Sequence, residues 1–253
     1  EAEVVIASGT ESMSNAPILK NRNTEEETLS MLSDGLIDAF SGISMGIIGE
    51  TIAEQFDVSR ADQDRFAQNS QEKAVAASQA GIFNDEIVAL GELSVDETPR
   101  PSSSLEKLAT LRTAFKENGT VTAGNSSPVN DGASALILEV GIDPAIMGVS
   151  PIDAIQKLVQ RSGVQLSEID LFEINEAFAA SSIAVNRELG LKDSQVNIYG
   201  GAIALGHAIV SSGAKILTTL GYALKREQKR YGIASLCIGG GLGLAILLKN
   251  PDF

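Results

Sequence analysis

The sequence holds a single histidine and a single cysteine, and each lies in a glycine-rich segment toward the C-terminus. His207 closes the run Asn197-Ile-Tyr-Gly-Gly-Ala-Ile-Ala-Leu-Gly-His207, and Cys237 lies within Ser235-Leu-Cys-Ile-Gly-Gly-Gly-Leu-Gly243. An imidazole and a thiol suit proton transfer and nucleophilic work near neutral pH. Glycines beside them let backbone N–H groups approach a ligand with no Cβ in the way. Taken singly, such a histidine reads as a core residue held by backbone, and such a cysteine as an inert buried thiol. Both in backbone-exposing loops, they point to an active site. A third segment, Asn175-Glu-Ala-Phe178, follows a strand-like run, so Asn175 is either a helix cap, a polar donor in a site, or both.

The elements that must position these residues are legible in the pattern. From residue 150 onward the chain alternates. Ser150-Pro151 opens a helix with Ile155, Leu158 and Val159 apolar and Gly163 as its stop. Asp170 to Ile174 is a short strand, and Asn175 leads into a helix ending near Gly190. Val196 to Tyr199 is expected as a strand, Ser211 to Lys229 as a long amphipathic helix, and Gly232–Cys237 and Leu242–Leu248 as two strands joined by Gly239-Gly240-Gly241. Such an alternation closing in a hairpin predicts an α/β fold, with mixed sheets covered by helices. Functional sites in such sheets sit where loops leave strand ends.

The first half is less regular. It opens in a strand-like run, Val4 to Ala7, with no cap before it, and further sequence is expected ahead of Glu1. Lys20 to Glu27 reads as a charged loop. A helix capped by Ser59 carries Phe66, Ser70, Ala74 and Ala77 on one face and stops at Gly81. Asp96 to Ser104 is loop by composition, Asn125 to Gly132 is turn-rich, and Ala133 to Leu138 is a strand or the start of a helix.

Composition narrows the function. The 253 residues are 43% hydrophobic with 4% aromatic and no Trp, so the core must come from Ala, Val, Ile and Leu. A net charge of −14 argues against nucleic acid and anionic membranes as partners and favours a soluble protein. One cysteine can form no internal disulfide, consistent with a reducing cytoplasm, and leaves too few Cys and His ligands for a structural metal. No apolar run reaches transmembrane length, and Glu-Ala-Glu-Val-Val is no signal peptide.

Gly9-Thr-Glu-Ser-Met-Ser14, Thr122-Ala-Gly-Asn-Ser-Ser-Pro-Val-Asn-Asp-Gly132, Asn175-Glu-Ala-Phe178, the His207 run and the Cys237 run, in this order and spacing, resemble the thiolase family over nearly the whole chain. The resemblance implies a layered αβαβα architecture. Residues 1–140 would be the remainder of an N-terminal domain with its loop region, and 141–253 a C-terminal domain. It implies Claisen condensation of two acetyl-CoA to acetoacetyl-CoA and the reverse thiolysis, with coenzyme A thioesters as substrates, no cofactor, and a homodimer or homotetramer. Cys237 would be the proton-transferring cysteine. His207 would activate the acyl-accepting cysteine and polarise the thioester oxygen. Asn175 would hold a water completing that oxyanion site, and the Gly239 N–H would serve a second one. Ser127 and Ala123 would contact pantetheine, Ala177 and Phe178 would wall the acyl tunnel, Met147 would line the pocket, Met45 would belong to the cofactor loop, and Arg100 would meet CoA phosphates.

The sequence departs from the family's pattern in several places. The acyl-accepting cysteine has no counterpart here, since Cys237 is the single Cys. The segment between Leu138 and Gly141 is shorter by about a strand with its turn, roughly 5–6 residues plus loops. The regions near Leu19 and before Leu93 also look abbreviated. Ala208 and Val210 stand where the family usually has Pro and Gly, and Ser44 where short-chain members often have His. Two other functions stay open: a 3-ketoacyl synthase relative, which would lack Cys237, and a non-catalytic acyl-CoA or lipid-binding protein, which would have no use for it.

Overall fold

The computed structural model describes residues 4–38, 41–139, 151–238 and 242–253. In chain order the elements are β1 (Val4–Ser12), β2 (Ile18–Lys20), β3 (Glu27–Leu29), α1 (Met45–Gln55), α2 (Arg60–Gln79), α3 (Leu105–Ala109), β4 (Asp131–Glu139), α4 (Pro151–Ser162), β5 (Leu171–Ile174), α5 (Ala179–Leu189), α6 (Ala202–Leu205), α7 (Ser212–Arg226), β6 (Tyr231–Ile238) and β7 (Leu242–Lys249). Short 3-10 and π turns fill several of the connections.

The C-terminal sheet runs β5-β6-β7, with β5 parallel to β6 and β6 antiparallel to β7. Side chains alternate across a strand, so β5 feeds two cores at once. Leu171 points into a cluster with Ile216, Leu217, Leu220 and Leu224 of α7. Phe172 and Ile174 point the other way, toward Ile155 and Leu158 of α4 and Val185 and Leu189 of α5. All four residues of β5 are buried, as a central strand covered on both faces requires. On its far side α7 packs against a second sheet, the antiparallel pair β1–β4, where Ser8 stands opposite Ala135. Ser134 Oγ ties that sheet to the start of the helix, donating to the Ser211 carbonyl at 2.7 Å. The order is therefore sheet, helix, sheet, helices, with α7 as the shared middle layer. Among the described residues no helix is long and apolar enough to cross a membrane.

The first-half helices form a separate shelf against α5 and α6. α2 starts where its cap predicts, Ser59 Oγ accepting from the Asp62 N–H at 3.1 Å, and buries Ala67, Ser70, Ala74 and Ala77. Lys20 to Glu27 is the tip of the β2–β3 hairpin rather than a free loop, since Lys20 pairs with Glu27. Ala133 to Leu138 is strand, within β4. The expected strand at Val196–Tyr199 does not form. Val196 makes one isolated parallel bridge to Phe172, and Asn197 then turns to φ 44°. From there the Asn197 side chain takes over the ladder: its Oδ1 accepts from the Ile174 N–H and its Nδ2 donates to the Ile174 carbonyl, both at 2.8 Å. A side-chain amide has the donor and acceptor of a peptide unit, so it can satisfy a strand edge while the backbone departs.

One buried charge in this framework has a measurable consequence. Glu173 is 2% exposed on the α7 side of β5. Burial pushes its carboxyl up to about 8, against the pull of the Lys215 ammonium. Burial also raises Glu86 and Glu176. A carboxyl raised on folding stabilises fully below its unfolded pKa, and that contribution is lost as pH climbs through the folded value. The chain should therefore lose stability between about pH 4.5 and 8, on the order of 4 kcal/mol of it from Glu173. Urea denaturation of Glu173→Gln at pH 5 and pH 9 isolates this residue. The variant should match the parent at pH 5 and exceed it at pH 9, and an equal difference at both would contradict the assignment.

Candidate active site

Asn175 is the first residue beyond β5. Its backbone N–H donates to the Ser235 carbonyl of β6 at 2.9 Å, so the parallel pairing continues one step past the strand. Two residues after Ser235 on β6 comes Cys237, paired with Gly243 across the hairpin. Asn175 and Cys237 thus leave the same C-terminal edge of two neighbouring parallel strands, where open α/β sheets place their ligands.

His207 reaches this edge from the other side. The short helix α6 ends at Gly206, whose φ of 93° turns the chain and whose missing Cβ leaves room for the Asn130 side chain. His207 then forms a parallel bridge with Val129. Its Nε2 lies 3.2 Å from Asn175 Nδ2, and its Nδ1 lies 2.6 Å from Ser212 Oγ. The amide nitrogen can act only as donor, so Nε2 carries the lone pair and Nδ1 the proton. Ser212 Oγ accepts a hydrogen bond from that N–H and donates its hydroxyl to the Ala208 carbonyl at 3.0 Å. Burial holds the imidazole below its usual pKa. At neutral pH the ring is therefore a neutral base with Nε2 toward Asn175. The other atom of that amide, Oδ1, is buried without a hydrogen-bond partner.

The Cys237 thiol is open to solvent, yet protein packed around the sulfur pushes its pKa up. The thiol form prevails at neutral pH.

A loop from Thr120 to Val129 forms one wall. Ser127 donates to the Ala177 carbonyl through both its N–H and its Oγ, each at 3.2 Å. Ser126 bridges Phe178, and the Ala179 N–H donates to the Asn125 carbonyl at 3.1 Å. Glu50 of α1, 3% exposed, holds the base of the loop by accepting from the Thr120 and Val121 N–H groups. The Phe178 ring stands edge-on to Phe115 at 6.4 Å, and Phe115 lies against Gly46, beside the half-buried Met45.

The structure brings Asn175, His207, Ser127, Ala177 and Phe178 together. Met45 immediately precedes Gly46, against which Phe115 packs. Ala123 is an exposed turn residue. Arg100 is also exposed, its backbone fixed by Gln71 Oε1 at 2.6 Å, and among the described residues it enters no recorded ion pair. Met147 and Gly239 lie outside the described residues. No group of three or more His, Cys, Asp or Glu suited to a metal occurs among the described residues. Sequence reasoning missed Ser212, although a hydroxyl five positions after the histidine at a helix start was a visible signal. It also missed Glu176, Asn197 and Ser70, whose roles require tertiary contacts.

A groove of about 700 Å³ lies away from this edge, between α2 and α5, lined by Asp62, Arg65, Phe66 and Arg187 among others. It contains none of the residues above.

Comparison with known proteins places the fold in a family. Residues 1–140 match the thiolase N-terminal domain and residues 132–250 the thiolase C-terminal domain. A probable acetyl-CoA acyltransferase of Staphylococcus epidermidis is 46% identical over 287 aligned positions, covering 99% of this chain and 73% of that protein. A Staphylococcus aureus protein of the same description is 45% identical over the same shares. Since 287 positions exceed the 253 residues here, the alignment includes gaps. Among solved structures, Bacillus anthracis acetyl-CoA acetyltransferase superposes with a TM-score of 0.88 at 37% identity, over 98% of this chain and 72% of that one. Human mitochondrial 3-ketoacyl-CoA thiolase in complex with CoA gives 0.89 at 38%, over 98% and 71%. Sharing both domain signatures, the fold and this level of identity, the chain belongs to the thiolase family.

Proposed function

We propose that this site performs the proton transfer and oxyanion stabilisation of an acetyl-CoA C-acetyltransferase, joining two acetyl-CoA into acetoacetyl-CoA and running the reverse thiolysis. The observation that carries the reading is the 3.2 Å contact between Asn175 and a neutral His207, on the strand edge next to the one bearing the chain's single thiol. Family membership supports acyl transfer between CoA thioesters. The choice of acetoacetyl-CoA over longer 3-ketoacyl-CoA substrates is the finer step of the proposal.

In the condensation, the Cys237 thiolate takes a proton from the acetyl-CoA methyl group. The resulting enolate attacks the carbonyl of an acetyl group held as a thioester on a second cysteine. That tetrahedral oxyanion collapses, expelling the second thiolate and releasing acetoacetyl-CoA. His207 Nε2 carries the lone pair that would take the proton of the acyl-accepting thiol, giving up the hydrogen bond it accepts from Asn175 Nδ2. Having done so it becomes a donor, and with Asn175 Nδ2 it can stabilise oxygen charge as it develops. In thiolysis the raised Cys237 thiol starts in the form that is needed, as proton donor to the leaving enolate. Cys237 is the one cysteine in these residues, so the acyl group must be carried by a thiol outside them. Ser127, Ala123, Ala177, Phe178 and Met45 would line the pantetheine and acyl path. Arg100 would offer the acidic protein a local cation for CoA phosphate.

Proton abstraction can be assayed without the acyl-accepting thiol. In D₂O the chain should wash deuterium into the methyl group of acetyl-CoA, read by proton NMR. Cys237→Ser should cut that exchange by about 10²-fold or more while acetyl-CoA binding holds. Exchange in the condensation sense should also rise with pH, because the thiolate is the base and its pKa is raised. Binding with no exchange by the parent chain would favour the alternative of a non-catalytic acyl-CoA-binding protein.

A further inference from the structure

Glu176 stands one residue beyond Asn175, is 2% exposed, and has no part in the chemistry described above. Three donors from three segments converge on its carboxylate. Ser70 Oγ of α2 donates to Oε2 at 2.7 Å, the Ile203 N–H of α6 donates to the same oxygen at 3.1 Å, and Asn197 Nδ2 donates to Oε1 at 2.9 Å. Ser70 Oγ in turn accepts from the Gly201 N–H at 3.2 Å. A Cβ on Gly201 would overlap the carboxylate, so glycine is what allows the backbone to close on it.

These partners fall on the two arms of the site. Ile203 and Gly201 belong to the turn and helix that end in Gly206-His207. Asn197 is the residue whose amide completes the edge of β5 at Ile174, immediately before Asn175. A single buried carboxylate therefore joins the segment carrying Asn175 to the segment carrying His207, with α2 as the anchor behind both. We propose that Glu176 is a positioning residue that fixes Asn175 and His207 at their contact distance, acting on the site through these three segments and not on substrate.

The charge state fits the role. Ser70, Ile203 and Asn197 present donors to the carboxylate, which needs no proton of its own to satisfy them. Burial alone drives its pKa up, while Asn197, Ser70 and the Ile203 N–H draw it back down. Neutralising the group by substitution must turn at least one of these donors against another donor.

The inference rests on reading Asn175 and His207 as a catalytic pair, but its test needs no substrate. His207 is the chain's single histidine, so its ring gives one set of NMR resonances. In the parent, nitrogen-15 shifts should report the Nδ1–H tautomer and a titration below the ordinary histidine range. In Glu176→Gln the tautomer should become mixed and the titration should move up toward that of a free imidazole. Deuterium exchange into acetyl-CoA should fall by up to about 10²-fold, the cost of a misplacement of about 1 Å. Ser70→Ala, a milder change that removes one of the donors, should move both readouts in the same direction by less. It also serves if Glu176→Gln fails to fold. Leu220→Ala, a cavity in the α7 core, provides the control for destabilisation alone and should leave the imidazole signals in place. The proposal is overturned if Glu176→Gln and Ser70→Ala lower the melting temperature yet leave the His207 tautomer and titration unchanged, or if Leu220→Ala moves them equally. Failure of the parent to exchange deuterium, with the imidazole response intact, would instead count against the proposed function and leave the clamp standing.

Discussion

Because β5 and β6 run parallel and β5 is buried on both faces, the register Leu171–Gly232 through Ile174–Ser235 has no room to slip. A shift of one residue would turn Phe172 toward α7 and Glu173 into the apolar cluster of α4 and α5. The hydrophobic alternation of a four-residue strand thereby fixes which residues emerge at its C-terminal end. Asn175 is the next residue on one strand and Cys237 lies two beyond Ser235 on the other. Their neighbourhood is a consequence of packing in a region that touches no ligand. His207 has no strand of its own to hold it. It depends on α6, on Gly206, on the bridge to Val129 and on hydrogen bonds to Asn175 and Ser212.

The chain carries a formal charge of −14 and still buries carboxylates, and it treats them differently. Glu50 accepts backbone N–H groups of Thr120 and Val121 and so anchors the loop that walls the site. Glu176 accepts from Ser70, Ile203 and Asn197 and ties together the segments flanking Asn175 and His207. Glu173 lies between the sheet and α7, where burial dominates over the pull of Lys215 and favours the protonated acid. A buried carboxylate surrounded by donors can organise backbone, because each donor would cost free energy if left unpaired. A buried carboxyl without such compensation tends to neutralise instead.

Much of this was legible in the sequence. The helices at α2, α4, α5 and α7 have apolar periodicity and recognisable starts or stops, Ser59 and Pro151 at two beginnings and Gly190 after an end. The segments around His207 and Cys237 could be singled out because their residue types are scarce here and their glycines are dense, and Asn175 because it follows a strand-like run. What failed was the segment from Val196 to Tyr199. Its apolar content reads as strand, but after its N–H donates to the Phe172 carbonyl Asn197 adopts a positive φ, and its side chain, not the backbone that follows, supplies the next step of the ladder at Ile174. Periodicity cannot register that exchange, since it counts side chains as facing a core or solvent. Ser70 and Glu176 were invisible for a related reason: they matter through partners distant in sequence, Ser70 with Glu176 and Glu176 with Asn197 and Ile203 as well, and polar contacts of that kind carry no periodic signal.

The two titratable groups at the strand edge shift in opposite directions from one cause. Burial lowers the His207 pKa and raises that of Cys237, and in both cases the neutral form is favoured. A site assembled this way holds no standing charge on either group at neutral pH, which matters where the surrounding protein screens poorly. On the proposed reading, charge first appears when a proton moves, as thiolate, enolate or tetrahedral oxyanion. The Asn175 amide and the newly protonated imidazole are already in place when it does. Their fixed orientation means that little reorganisation is needed at that moment, which is the main advantage a preorganised site has over water. The rigidity of the Asn175–His207 contact, and of the buried network behind it, is then the quantity on which the rate depends, more than the intrinsic strength of either group as acid or base.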